Sequence, residues 1–168
     1  MEFRKASIAD LEEVKRVYSK IVQKMLAEGY TIWDEVYPTE FFEDDIKNDA
    51  LYVLYDGATP VSAFALYDST RGDDAVAWEK DGAAAFYLDR FGINVEYQRK
   101  GCSRTAFDNA CDTARTLGAE YLRLFVVDEN LPAISFYEKC GMKRVDGYFN
   151  DHILGNVVLK EYGYEIKL

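Results

Sequence analysis

Seven consecutive residues, Gln98-Arg99-Lys100-Gly101-Cys102-Ser103-Arg104, carry three cations and no anion in a chain whose formal net charge is −10. The chemistry open to such a stretch is anion binding. A strand pattern ends just before it, and a helical pattern begins within it. Backbone N–H groups at a helix start lack intrahelical partners and lie at the positive end of the helix dipole. Gly101 lets those donors come close to a ligand, and the small Cys102 and Ser103 do not block the approach. Arg99, Lys100 and Arg104 add full charges. Together these features make a phosphate cradle. The same residues also suit a plain strand-to-helix turn with solvated cations, and the local sequence does not choose between the two. There is no G-x-x-x-x-G-K-[ST] and no G-x-G-x-x-G at the first strand–helix turn, which argues against a P-loop and a Rossmann dinucleotide site.

The remaining reactive side chains narrow the chemistry. One histidine, His152, excludes a multi-histidine metal site and makes a Ser–His–Asp triad a poor fit. Cys102, Cys111 and Cys140 lack metal-ligand spacing and have no identifiable activating partner, so packing or loop roles are expected and no metal is expected. Between Asp34 and Asp49 stand seven acids and one lysine, with Trp33 and Tyr37 beside them. A solvated face accounts for those charges. One wall of a cleft for a cationic substrate accounts for them too, which makes Trp33 and Tyr37 candidate substrate-binding residues. Thirty acids against twenty bases argue against a nucleic-acid surface. No segment reaches the roughly 18 to 20 apolar residues of a membrane span, and the opening MEFRKASIADLEEV has no apolar run. A cytoplasmic protein with reduced thiols is expected.

These residues need elements to position them. Phe3–Ala6 reads as a strand. Leu11, Val14, Val17, Tyr18, Ile21, Val22 and Met25 keep helical spacing, with Ser7 or Asp10 as cap and Gly29 as stop. Thr39 can cap a short helix over 40–47. ALYVLYDG and PVSAFALYDS predict an antiparallel hairpin with a longer loop. The polar stretch 70–82 reads as a surface loop with Trp78 folded back. A strand over 84–93, the cationic loop, a helix ending at Gly118 and a strand over 120–127 form the most telling unit. A helix capped by Asn130 and stopped by Gly141 follows, then the strands MKRVDGYFN and VVLKEYGYEIKL. The order is that of a single α/β domain over 1–168.

The stretch from Phe91 to Met142 resembles the core of the GCN5-related N-acetyltransferase (GNAT) superfamily. Gln98-Arg99-Lys100-Gly101-Cys102-Ser103 meets the signature Gln/Arg-x-x-Gly-x-Gly/Ala, with Ser103 at the usual Gly/Ala position. Asn130, Ala133, Phe136, Tyr137 and Gly141 meet the later Asn-x-x-Ala-x-x-Phe-Tyr-x-x-x-Gly-Phe pattern, with Met142 for the aromatic. The match is good over about 86–145, while the first 80 or so residues fit only as a pattern of elements.

The resemblance implies a mixed, mostly antiparallel central sheet of about seven strands flanked by four helices. It implies an acetyl-CoA-dependent N-acetyltransferase acting on a primary amine of a small molecule or peptide by direct attack. Gln98, Arg99, Lys100, Gly101, Cys102, Ser103 and Arg104 would hold the pyrophosphate. The strand ending at Phe91–Ile93 would pair with the pantetheine arm, and the N–H near Ile93 would meet the thioester oxygen. Val95 stands where many relatives have proline. Asn130 would bond the pantetheine arm, a role compatible with capping its helix. Tyr137 would be the general acid at the departing sulfur, although it also lies on an apolar helical stripe. Asp89, four residues before Ile93, shares its face if the strand is regular and is a candidate general base; Glu79, Asp34 or Glu35 acting through water are others. Competing expectations are a non-catalytic acyl-CoA-binding regulatory module and transfer to a hydroxyl. A homodimer through the terminal strands would cover an exposed edge.

Overall fold

The computed structural model describes residues 1–153 and 157–168. The chain is mixed α/β, with a mostly antiparallel sheet and four helices. Its elements are β1 (Glu2–Lys5), α1 (Leu11–Ala27), α2 (Phe42–Lys47), β2 (Leu51–Asp56), β3 (Thr59–Tyr67), β4 (Val76–Ala77), β5 (Ala85–Ile93), α3 (Cys102–Thr116), β6 (Tyr121–Val127), α4 (Leu131–Lys139), β7 (Lys143–Arg144), β8 (Asp146–Gly147), β9 (Phe149–Ile153) and β10 (Val157–Lys167). Two compact units divide the chain: Met1–Leu66 with Asp89–Ala110, and Tyr67–Leu88 with Cys111–Leu168. Strand β5 and helix α3 each contribute to both.

In the first unit the strand order is β1-β2-β3-β5. α1 forms because its apolar residues recur at helical spacing, and Leu11, Val14, Val17, Tyr18 and Ile21 pack against Leu51, Val53 and Tyr55 of β2. Its start differs from the simple cap expected. Residues Ile8–Asp10 form a 3-10 turn, and the Asp10 carboxylate accepts the N–H of Ser7 at 2.7 Å and its hydroxyl at 2.8 Å. Arg4 grips the same carboxylate through two bonds of 2.8 Å, and the Tyr55 hydroxyl donates to it at 2.6 Å. Thr39 does not cap α2; its hydroxyl donates to the Val36 carbonyl at 3.0 Å, and a 3-10 turn over Thr39–Phe41 leads into the helix. The β2–β3 hairpin is tighter than expected, because Asp56 pairs with Thr59 and leaves only Gly57 and Ala58 in the loop.

In the second unit the order is β5-β6-β10-β7, with β9 also on β10. The parallel β5–β6 ladder runs from Ala85 with Tyr121 to Tyr87 with Arg123. At that last rung Arg123 is buried, pairs with Glu165 at 3.2 Å, stacks on Trp78 at 4.5 Å and donates to the Lys80 carbonyl at 2.9 Å. Trp78 does fold back, its indole N–H bonding the Asp73 carbonyl at 2.9 Å. Tyr87 bonds the Asp73 carboxylate; burial and then that bond push its phenol up to about 12. The stretch expected as one strand over 142–150 breaks into β7, β8 and the start of β9, with Gly147 at φ +94°. From Glu161 onward β10 is paired with β6, its start pairs with β9, and among the described residues Glu161, Tyr164 and Glu165 have strand partners on both edges. Among the described residues no helix is long and apolar enough to cross a membrane, and no group of three His, Cys, Asp or Glu is placed to hold a metal.

Candidate active site

The cationic loop is built from the end of β5. Asn94 is buried and pins that end to β3: its N–H donates to the Val61 carbonyl at 2.8 Å, and its amide donates to the Pro60 carbonyl at 2.9 Å. Its side-chain oxygen then accepts the Glu96 N–H at 3.1 Å and starts a 3-10 turn over Val95–Tyr97. Gln98 turns its side-chain amide back onto the Ile93 carbonyl at 3.2 Å, which ties the loop to the strand. Arg99 at φ +61° and Gly101 at φ +81° flank Lys100. Two left-handed residues so close together curl the backbone into a concavity suited to an anion. A Cβ on Gly101 would meet no atom within 4 Å, so the backbone there faces open space.

Helix α3 begins at once. The amides of Arg104 and Thr105 both donate to the Gly101 carbonyl, at 3.1 and 3.3 Å. Those of Cys102 and Ser103, two residues earlier in the turn, are helix-start donors. The Cys102 side chain is buried with Leu54, Val61, Ile93 and Ala106, so the backbone faces out while the thiol faces in. The three cations differ. Lys100 lies 5.4 Å above the Tyr97 ring, and Arg104 bonds Asp108 at 2.8 Å on the helix surface. Arg99 is exposed and has no ion-pair partner among the described residues.

Asp89, Phe91 and Ile93 follow one another along β5, but the strand is not regular. Arg90 has φ +53°, a left-handed conformation that β-strand residues other than glycine rarely adopt. Such a residue breaks the regular alternation of faces along the strand. The parity that would put Asp89 on the face of Ile93 does not carry across it. Asp89 is half exposed, and both of its oxygens accept from Arg90: the backbone N–H at 2.7 Å and Nη1 at 2.8 Å. The Arg90 side chain is buried, and it forks onto Asp45 of α2 through Nε at 2.8 Å and Nη2 at 2.7 Å. Burial pulls this guanidinium down, but the charges of Asp89 and Asp45 outweigh it and hold it above its ordinary value.

Trp33 and Tyr37 join an aromatic run in the same unit. Trp33 stacks on Tyr18 at 5.6 Å and meets Tyr37 edge-on at 6.5 Å; Tyr37 meets Phe41 at 5.8 Å, and Arg90 lies over Phe41 at 5.3 Å. The Tyr18 hydroxyl lies 2.6 Å from the carbonyls of both Ala63 and Arg90. Gly92 is required there, because a Cβ would fall 2.6 Å from the Tyr18 ring and hydroxyl. Phe91 is half buried beside Phe64 at 6.0 Å.

Asn130 and Tyr137 belong to the second unit and to one helix, seven residues or about two turns apart. Asn130 does cap α4, its side-chain oxygen accepting the Ala133 N–H at 3.3 Å. That leaves its NH2 group for another acceptor. Tyr137 is buried, 8% exposed, near the end of the helix. Glu79 is exposed, and its N–H bonds Glu165 at 2.6 Å; Asp34 is exposed, and its carboxylate accepts the N–H groups of Val36 and Tyr37. The structure therefore brings Gln98–Arg104 together with the end of β5, and Asp89 together with the Trp33–Phe41 aromatics through Arg90. Arg90, Gly92 and Asn94 were not singled out from the sequence, Asp45 stood only among the acids beside Trp33 and Tyr37, and Tyr18 only on the apolar face of α1. The signal for Arg90 was a cation inside the apolar strand AFYLDRFGI, which demands a partner.

A family model described as acetyltransferase (GNAT) family matches residues 18–142, and the chain belongs to that family. Solved structures share its fold. An acetyltransferase of the GNAT family from Streptococcus agalactiae is 16% identical, with 99% of this chain and 95% of that one covered and a TM-score of 0.84. PaiA N-acetyltransferase from Thermoplasma acidophilum, solved in complex with coenzyme A, is 21% identical, with coverage of 99% and 98% and a TM-score of 0.67. The ribosomal-protein-S18-alanine N-acetyltransferase of Escherichia coli is 13% identical, with coverage of 99% and 92% and a TM-score of 0.69. Among curated proteins no sequence match is found.

Proposed function

We propose that this GNAT acetyltransferase moves an acetyl group from acetyl-CoA directly to a primary amine of a small molecule or peptide. The observation that carries the reading is the loop Gln98–Arg104, where two left-handed residues, a helix start and an outward Arg99 face open space. These residues fit a diphosphate. Acetyl-CoA supplies the activated acyl group as a thioester. The amides from Gly101 to Ser103 hold the diphosphate, with Arg99, Lys100 and Arg104 adding charge; the Arg104–Asp108 pair is exposed and rearranges at little cost. Gln98 serves through its tie to Ile93, which holds the loop against β5. Phe91 and Ile93 line the pantetheine arm with backbone groups, and the Asn130 NH2 group donates to that arm. Tyr137 donates a proton at the departing sulfur. Asp89 receives the ammonium form of the acceptor and takes its proton. Trp33 and Tyr37 form the acceptor's apolar wall.

The whole chain acts as one acetyltransferase domain, in the cytoplasm. A homodimer is supported only by Val157–Leu159, which among the described residues pairs with β9 alone and exposes Val157 and Val158.

Calorimetry with acetyl-CoA, followed by thiol release over spermidine, tyramine and an alanine-starting peptide, tests the reading. Wild type should bind and turn over at least one amine. Gly101→Glu should fold yet lose binding, and Tyr137→Phe should keep binding while losing about 100-fold in turnover. A folded wild-type protein that gives no heat with acetyl-CoA sinks the cradle, and full activity in Tyr137→Phe removes the acid role.

A further inference from the structure

We propose that Arg90 is a positioning residue for the transfer: anchored to Asp45 of α2, it aims the Asp89 carboxylate at the acceptor amine. This rests on the reading of Asp89 as the group that meets the amine.

The geometry is specific. A guanidinium has five donors in a rigid fork. Two of them take both oxygens of Asp45, and a third reaches one oxygen of Asp89 while the Arg90 backbone N–H takes the other. Asp89 is thus seated at both oxygens on one residue, and that residue is clamped by α2. Side-chain exposure rises along the chain of bonds, from 1% at Asp45 through 8% at Arg90 to 45% at Asp89. A carboxylate has about four acceptor sites, so the two on the open side of Asp89 stay available.

The backbone explains why this needs a left-handed residue. In a regular strand neighbouring side chains leave opposite faces, and Asp89 would point away from Arg90. The left-handed turn at Arg90 lets the guanidinium and its neighbour's carboxylate meet. A non-glycine residue holds that conformation only where its surroundings enforce it. The Asp45 fork, the Phe41 ring beneath the guanidinium and the Tyr18 hydroxyl on the Arg90 carbonyl do so. The Tyr37 phenol also faces the guanidinium. Of the two carboxylates on this cation, Asp89 is the exposed one.

A double-mutant cycle tests this, using Arg90→Gln, Asp89→Asn and the pair of changes with the best acceptor of the three amines. Arg90→Gln should lower kcat/KM for the amine about tenfold, with the KM for acetyl-CoA within about twofold. Combined with Asp89→Asn it should cost nothing more, because both act through one carboxylate. Arg90→Lys should recover part of the loss. If Arg90→Gln does not fold, Arg90→Gln with Asp45→Asn removes the buried charges together and replaces it in the cycle. A crystal structure of the Arg90 variant adds a readout independent of turnover: the Asp89 side chain should leave its present position. Multiplying losses, an equal shift in the acetyl-CoA KM, or an unmoved Asp89 overturns the proposal. If Asp89→Asn alone has no effect, the role of Asp89 fails and this inference with it; if Asp89→Asn is impaired and the losses multiply, only Arg90 is removed.

Discussion

The loop Gln98–Arg104 and the Arg90 cluster lie in the same unit, and they use their cations in opposite ways. Arg90 is buried and spends its donors on Asp45 and Asp89. Arg99 is exposed with no ion-pair partner among the described residues, Lys100 lies over the Tyr97 ring, and Arg104 makes an exposed pair with Asp108. Inside, charge is consumed to fix geometry. At the loop, Arg99 has no ion-pair partner among the described residues and Gly101 faces open space, the features on which the proposed cradle rests. Two glycines mark the same contrast. Gly92 is a glycine because Tyr18 fills the space, and Gly101 is one because its backbone is left-handed beside emptiness.

One substitution made at both glycines breaks or sharpens that contrast. Gly92→Ala should cost about 3 kcal/mol of stability, since Tyr18 is bonded and cannot retreat. Denaturant unfolding measures it, and a loss under about 1 kcal/mol would mean that the Tyr18 contact is soft. Gly101→Ala should cost only about 1 kcal/mol through its positive φ. Its acetyl-CoA affinity should fall about tenfold if a ligand's approach needs that space; unchanged affinity in calorimetry would erase the difference between the two sites.

The smallest effect concerns pH. Arg4 first, with Tyr55 and Ser7, holds the Asp10 carboxyl well below the usual carboxylate range against the pull of burial. Its contribution is therefore complete above the unfolded value of about 4 and is lost as pH falls below it. Asp10→Asn should lower stability at pH 7 and flatten the acid limb of the stability profile. Arg4 is partly exposed, so the difference is modest. A variant with an unaltered acid limb would show that the clamp contributes nothing.

What was legible follows range. The loop and the Asn130 cap are local, and glycine, small residues and a helix start announce themselves within seven positions. Asn130 caps α4 as its sequence suggests. The Arg90 cluster is not local. Asp45 stands 45 residues away, in a run of acids whose other members face water, and nothing in EDDIK marks it as the buried one. The left-handed arginine was hidden for the same reason: Asp45, Phe41 and Tyr18 enforce it, none of them its neighbours in sequence. The break of 142–150 likewise depends on distant partners: β7 and β9 pair with β10, while β8 pairs with β4 in a separate two-stranded sheet.

Cys102 sits in the loop Gln98–Arg104 with its sulfur turned into the core, and Cys111 and Cys140 are buried as well. An alkylating reagent reaches any of these thiols only after the surrounding structure opens. The molecule thus carries its own clocks, one at the start of α3, one midway along it and one at the foot of α4. A ligand gripping the loop would slow the first of them most.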